Sequence, residues 1–239
     1  MARTAVIAAG EEHLARVGRS VASLRRSGWQ VIVVPGHATE LHNLEIQQLQ
    51  AASEVPAQPP CSLIAMAQGQ VGSALALALR HLGMPVVAAV THVLSEARRV
   101  VEAPAVRALV DAGYVVVAGG GGGVPVGGSG TALNLDTAAE LLATTIGADA
   151  LVLVTGESPA DAHLLTVAEA EQRQAAGQFP GGPLGAKVDT AIRFVHGGGA
   201  LAAITTPELV LATVEGTASP LEGETGILIV GPDRALGVA

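Results

Sequence analysis

The sequence predicts an α/β chain: a mostly parallel sheet covered by helices on both faces, giving a three-layer αβα sandwich. Three observations carry that prediction. Short apolar runs rich in Val, Ile and Ala, of strand length, recur from Thr4–Ala9 to Gly226–Val230. Stretches with helical spacing of apolar residues alternate with them, the order expected of parallel strands joined by crossover helices. The chain has 239 residues, 49% hydrophobic and 14% charged, with a mean hydropathy of +0.47. That is ample apolar material for one large core.

Thr4–Ala9 is the first expected strand, ended by Gly10. Glu11 and Glu12 open a helix, their charges at the positive end of its dipole. Leu14, Val17, Val21 and Leu24 then fall at helical spacing, and Gly28 closes the element. Gln30–Pro35 is a second strand, followed by Gly36-His37. A polar helix is expected over Glu40–Ala52 and a proline-rich connector over Glu54–Pro60. Cys61–Leu82 reads as a long helix carrying Gln68-Gly69-Gln70-Val71-Gly72, whose small residues suit packing against another helix or subunit. Met84–Thr91 is strand-like, Ser95–Val101 is polar with Arg98-Arg99, and Pro104 fits the first turn of a short helix.

Tyr114–Ala118 has the composition of a buried strand, and Gly119, Gly120, Gly121, Gly122 and Gly123 follow it. Five glycines are expected to leave the strand as a loop, because each loses the most backbone entropy on ordering. Without Cβ atoms such a loop approaches a ligand closely, and its successive N–H groups form an anion-binding concavity. Val124-Pro125-Val126 stiffens the exit, which fits an anion site better than a flexible linker. Beyond it, Asp136–Ile146 reads as a helix with Asp136 as its N-cap, and Ala150–Thr155 as a strand. Val167–Ala176 is helical, Gly177–Gly185 a Gly/Pro loop, and Lys187–His196 a helix that Lys187 opens at an exposed start. Ala200–Thr205 and Gly226–Val230 complete the strands. The division expected is 1–126 and 127–239, two lobes of one compact unit.

Composition narrows the function. A net charge of −8 and an aromatic content of 2% argue against nucleic acid, which calls for basic stripes and stacking rings. No apolar run approaches a membrane span; the richest, Val71–Leu79, stops at Arg80. The opening residues run straight into a strand-like pattern, unlike a secretory signal, and the single cysteine, Cys61, has no internal disulfide partner. A reducing cytoplasm is the expected home.

Several motifs, in order, resemble the carbamate kinases of the amino acid kinase family. Ala65-Met66-Ala67-Gln68-Gly69-Gln70-Val71-Gly72 is similar to that family's Ala-Met-Thr-Gln-Gly-Gln-Ile-Gly helix, and Ala112–Val126 to its glycine-rich signature. Gly181–Val195 resembles its Gly-Ser-Met-Gly-Pro-Lys-Val segment, and Glu222-Gly223-Glu224-Thr225-Gly226 its closing Glu-Gly-Lys-x-Gly. The resemblance implies an open αβα sandwich, a substrate-side N-terminal half, a nucleotide-side C-terminal half and a homodimer.

The chain also departs from that pattern. A protruding lid is implied after the strand at Met84–Thr91, yet Thr91-His92-Val93 passes almost directly to Arg98-Arg99. The Gly-Gly-Asn loop is Ala9-Gly10-Glu11, and His-Gly-Asn-Gly-Pro-Gln is Pro35-Gly36-His37-Ala38-Thr39-Glu40, which puts acids where the family binds anions. The Asp-Lys-Asp motif is Asn134-Leu135-Asp136, and Leu-Thr-Asp-Val is Val154-Thr155-Gly156-Glu157. Acetylglutamate kinases share an Asn-x-Asp-x-Ala-Ala here and take the missing lysine from the first strand, where this chain has Ile7.

Lys187 is the chain's one lysine, and a compact ammonium follows a moving phosphoryl group better than a planar guanidinium does. By resemblance it is the nucleotide-side catalytic lysine and Asp136 the acid that orients it. Gly10, Gly36 and Gly119–Gly123 would bind the substrate anion; Thr155, Gly156, Gly185 and Lys187 would bind ATP or ADP, with Mg²⁺ bridging the phosphates. No residue is assigned to a metal. His37 reads as a solvated loop histidine, Glu157 and Asp161 as solvated acids, and Arg98-Arg99 as the cap of a surface turn. Two functions follow as expectations: an ATP-dependent phosphotransferase acting on carbamate or another small acid, or a non-catalytic subunit that keeps the fold for binding or assembly.

Overall fold

The structure, a computed structural model, describes residues 2–36, 61–94, 99–125, 133–157, 159, 163–179, 181–217 and 226–231, with the backbone alone for 61–68, 94 and 120–125. The strands are β1 (Thr4–Ala9), β2 (Gln30–Pro35), β3 (Val86–Leu94), β4 (Arg99–Val100), β5 (Val115–Pro125), β6 (Ala150–Val154), β7 (His163–Thr166), β8 (Leu201–Thr205) and β9 (Ile227–Val230). The α-helices are α1 (Leu14–Arg26), α2 (Cys61–His81), α3 (Ala103–Asp111), α4 (Leu135–Ile146), α5 (Val167–Ala175), α6 (Pro183–His196) and α7 (Val210–Glu215), and a 3-10 turn at Glu11–His13 leads into α1. The expected helix Glu40–Ala52 and connector Glu54–Pro60, with His37, Arg98 and Asp161, lie outside the described residues.

One sheet runs β4-β3-β5-β2-β1-β6-β8-β9-β7. Its middle is parallel, as expected, while β9 returns antiparallel against β8 and β4 antiparallel against β3. Side chains of a strand alternate between faces, and both faces here are covered. Val6 and Ala8 join Ile32, Val116 and Leu151 in one core with α4 and α6 residues; Ala5 and Ile7 join Val31, Val117 and Val152 in another with α1 residues. That is why these strands read as unbroken apolar runs.

Four expectations are corrected. The five glycines do not leave the sheet: β5 continues through them to Pro125. Val90 pairs with Gly119 and His92 with Val124, so Gly120–Gly123 stand opposite Thr91 alone, as a bulge held by pairing on both sides. The ladder thus offsets the glycine entropy that favoured a loop. The N-cap of α4 is Asn134, whose side chain accepts from the Thr137 N–H at 2.8 Å, and Asp136 lies inside the first turn. Helix α6 begins at Pro183, so Gly185 and Lys187 lie in its first two turns instead of in a loop and at an exposed start. Finally, β7 and α7 appear where no element was expected.

Candidate functional site

In an open parallel sheet, ligands bind beyond the carboxyl ends of the strands. Here Gly10 follows β1, Gly36 follows β2 and Thr155 follows β6, and the α4 N-terminus arrives at the same edge. The Gly36 N–H donates to the Ala9 carbonyl at 2.8 Å. A Cβ on Gly36 would stand 2.8 Å from Leu135 Cδ2 and 3.6 Å from the Gly10 Cα. Gly10, Gly36 and the first residue of α4 therefore close on one another, in a space that only Cβ-free backbone leaves open. A helix N-terminus beside such backbone suits an anion.

Lys187 and Asp136 meet at this helix start. The ammonium donates to both carboxylate oxygens, at 2.8 and 3.0 Å, and each side chain is 15% exposed. The pair joins α4 to α6 through two residues 51 positions apart in the chain. It gives the site a localised positive charge held on a fixed carboxylate.

The other expected residues lie as follows. Gly119 packs under α2: a Cβ on Gly72 would be 3.5 Å from the Gly119 Cα. Thr91 Oγ1 donates to the Gly119 carbonyl at 3.2 Å. The Thr155 N–H donates to the Thr205 carbonyl at 2.9 Å, tying β6 to β8 where both end. Ile7, where a second lysine would come from, is wholly buried in the core with α1 residues.

Three site residues escaped the sequence. His13 lies against Gly156, whose Cβ would stand 3.5 Å from His13 Cε1, and its Nδ1 is buried without a hydrogen-bond partner. Glu12 sits 3.3 Å from His13 Nε2, and its carboxylate atoms lie 2.5–2.8 Å from where a Gly10 Cβ would be. Glu102 grips His92 twice, accepting from its backbone N–H and bonding Nδ1, each at 2.7 Å. These contacts depend on how turns fold back, so spacing gives no sign of them.

Among the described residues no cluster of three or more His, Cys, Asp or Glu is placed to hold a metal, and no helix is long and apolar enough to cross a membrane. A cavity of about 800 Å³ opens at the opposite, amino edge, lined by Arg3, Trp29, Asp149 and His196 among others. Size alone would favour it. The Lys187–Asp136 pair and the convergent glycines at the carboxyl edge are the stronger chemical indication.

The family model for the amino acid kinase family matches residues 4–206. The chain belongs to the amino acid kinase family. Its relatives make it a carbamate kinase-like member. It is 38% identical over 136 residues to a carbamate kinase of Halobacterium salinarum, covering 50% of this chain and 44% of the relative. It is 33% identical over 153 residues to the carbamate kinase-like protein YahI of Escherichia coli, covering 56% and 46%. The chain thus matches less than half the length of these two. A carbamate kinase of Pyrococcus horikoshii aligns over 90% of both chains at 26% identity. Carbamate kinase from Giardia lamblia bound to AMP-PNP shares the fold of this family member, with a TM-score of 0.79 at 21% identity over 96% of this chain and 99% of the other.

Proposed function

We propose that this chain is an ATP-dependent phosphotransferase of carbamate kinase type, acting on carbamate or another small carboxylate or phosphate acceptor. The observation that carries the reading is the Lys187–Asp136 pair at the carboxyl edge, beside the Gly10–Gly36 approach. Phosphoryl transfer asks a protein to hold two anions in line and to neutralise charge that develops between them. Gly10, Gly36 and the Gly119–Gly123 backbone would cradle the transferred group. Lys187 would track its charge, and Asp136 would fix the ammonium.

The edge fits a nucleotide in two respects: glycine backbone that a Cβ would fill, and one localised cation. Thr155, Gly156, Gly185 and Lys187 would hold ATP or ADP, which supplies the phosphoryl group. Mg²⁺ would accompany the nucleotide and neutralise its phosphates. Residues 1–126 form the substrate side and 127–239 the nucleotide side of a cytoplasmic homodimer in this reading.

A second reading is favoured by specific observations. The Glu12 carboxylate lies over Gly10, where an anionic substrate is expected, and buried Ile7 stands in place of the second lysine. Both suit a non-catalytic subunit that binds ligand or assembles with a partner. ADP formation from ATP and Mg²⁺ with carbamate present decides between the two. Turnover above the acceptor-free rate supports transfer. A chain that folds and dimerises, yet interconverts no ATP and ADP with any small acid, supports the subunit.

A further inference from the structure

What Gly10 supplies is space, not an unusual backbone conformation. Its φ of −61° and ψ of 156° are open to any residue. A Cβ there would meet Oε1, Oε2 and Cδ of Glu12 as its three nearest atoms, at 2.5, 2.6 and 2.8 Å. The gap left by the missing side chain therefore holds a carboxylate that the chain itself provides.

That carboxylate is lightly held. The Glu12 side chain is 63% exposed, and among the described residues its partner is the His13 ring, with Nε2 3.3 Å from Oε1. His13 is the fixed member of the two. Its side chain is only 12% exposed, and Cε1 lies 3.5 Å from where a Gly156 Cβ would stand. An ionised carboxylate only accepts hydrogen bonds, so the imidazole hydrogen on Nε2 attracts it. His13 thus steers Glu12 over Gly10 without locking it there.

A carboxylate has the charge and the planar pair of oxygens of a small acid. Held over Gly10, it takes the space that an incoming oxyanion needs and repels that oxyanion as well. We infer that Glu12 is a built-in competitor for the acceptor anion: the acceptor enters as the Glu12 side chain swings out to solvent, and Glu12 sets how weakly small oxyanions bind. The inference rests on the phosphotransferase reading for the location of the anion at Gly10.

Dissociation constants for inorganic phosphate are to be measured by calorimetric titration of the full chain at one fixed pH and ionic strength. Removing one unit charge about 4 Å from an anion in water corresponds to binding about fivefold tighter. Glu12→Gln and Glu12→Ala should each show that gain, with the fold intact because the side chain is exposed. Gly10→Ala added to Glu12→Gln should cancel it, by placing a Cβ where the anion sits. Asp111→Asn removes a charge where Asp111 meets Gln30, at the start of β2, and should leave the affinity at the wild-type value. Equal affinity with and without Glu12, a gain that survives Gly10→Ala, the same gain from Asp111→Asn, or phosphate binding by none of these chains overturns the inference. ADP formation is scored separately. An inert chain that gains phosphate affinity on losing Glu12 refutes transfer and keeps the competitor, while an active chain whose phosphate affinity ignores Glu12 does the reverse.

Discussion

Lys187 Nζ lies 2.8 Å from one oxygen of Asp136 and 3.0 Å from the other, a two-point grip between the first turn of α4 and the second turn of α6. If the chain transfers phosphoryl groups, this ammonium stabilises charge present only in the transition state. Lys187→Ala should then lower turnover by about 10²–10³-fold, the scale for one such electrostatic donor, with a smaller fall in nucleotide affinity. Steady-state rates and a nucleotide titration of the variant check this. Equal rates in the variant and the wild type would refute it.

The same pair contributes to stability, because both side chains are largely buried. Removing the lysine alone leaves a carboxylate without its partner, at a cost of about 1–3 kcal/mol. Removing both partners should cost less than the sum of the single changes. A double-mutant cycle of Lys187→Ala and Asp136→Ala by urea denaturation measures that coupling.

Gly226 ends the Glu-Gly-Glu-Thr-Gly stretch and takes φ +80°, a conformation side chains rarely adopt. A Cβ there would collide with the Ile204 carbonyl, since β9 runs back against β8 at this point. Gly226→Ala should lose more than about 2 kcal/mol. The check is the denaturation midpoint at unchanged slope. Gly177→Ala, with φ +69° and nothing near its would-be Cβ, should lose less.

The proposed homodimer, if it forms through α2, should cover exposed apolar residues there. Leu77 and Leu82 are 54% and 56% exposed, and Val90 and Tyr114 are also exposed. Sedimentation equilibrium should give twice the 23.8 kDa chain mass, and Leu77→Arg should shift the protein toward monomer. Gly72, one of the small residues that suit close packing, faces Gly119 inside the fold and not a partner.

Thr166 and Glu169 form a capping box at the start of α5. The backbone N–H of Thr166, and then its hydroxyl, hold the Glu169 carboxyl below the ordinary glutamate range. A carboxyl whose folded pKa is depressed stabilises the fold above its unfolded pKa, and that contribution disappears as pH falls through the folded pKa. The stability gap between wild type and Glu169→Ala should therefore be larger near neutrality than at about pH 3. Parallel denaturation series at the two pH values test this; a gap that widens in acid would contradict it.

The buried strands of the sheet's middle, their order along the chain and the αβα layering are written in the sequence, because a strand buried on both faces must be apolar throughout; the short β4 and β7 are not. Val31–Val34 and Leu151–Val154 illustrate this. The glycines at strand ends are equally legible, since a close backbone approach excludes Cβ atoms, and Lys187 and Asp136 stand out by residue type and motif. The tertiary structure decides what depends on one element meeting another. The glycine run stays in a strand because β3 pairs on either side of it. Asp136 leaves the cap to Asn134 and faces a lysine brought in by α6. His13 comes against Gly156, and Glu102 takes hold of His92, through chain returns that local spacing does not encode. Local preference sets which elements form; long-range packing and hydrogen bonding set which of their side chains share a site.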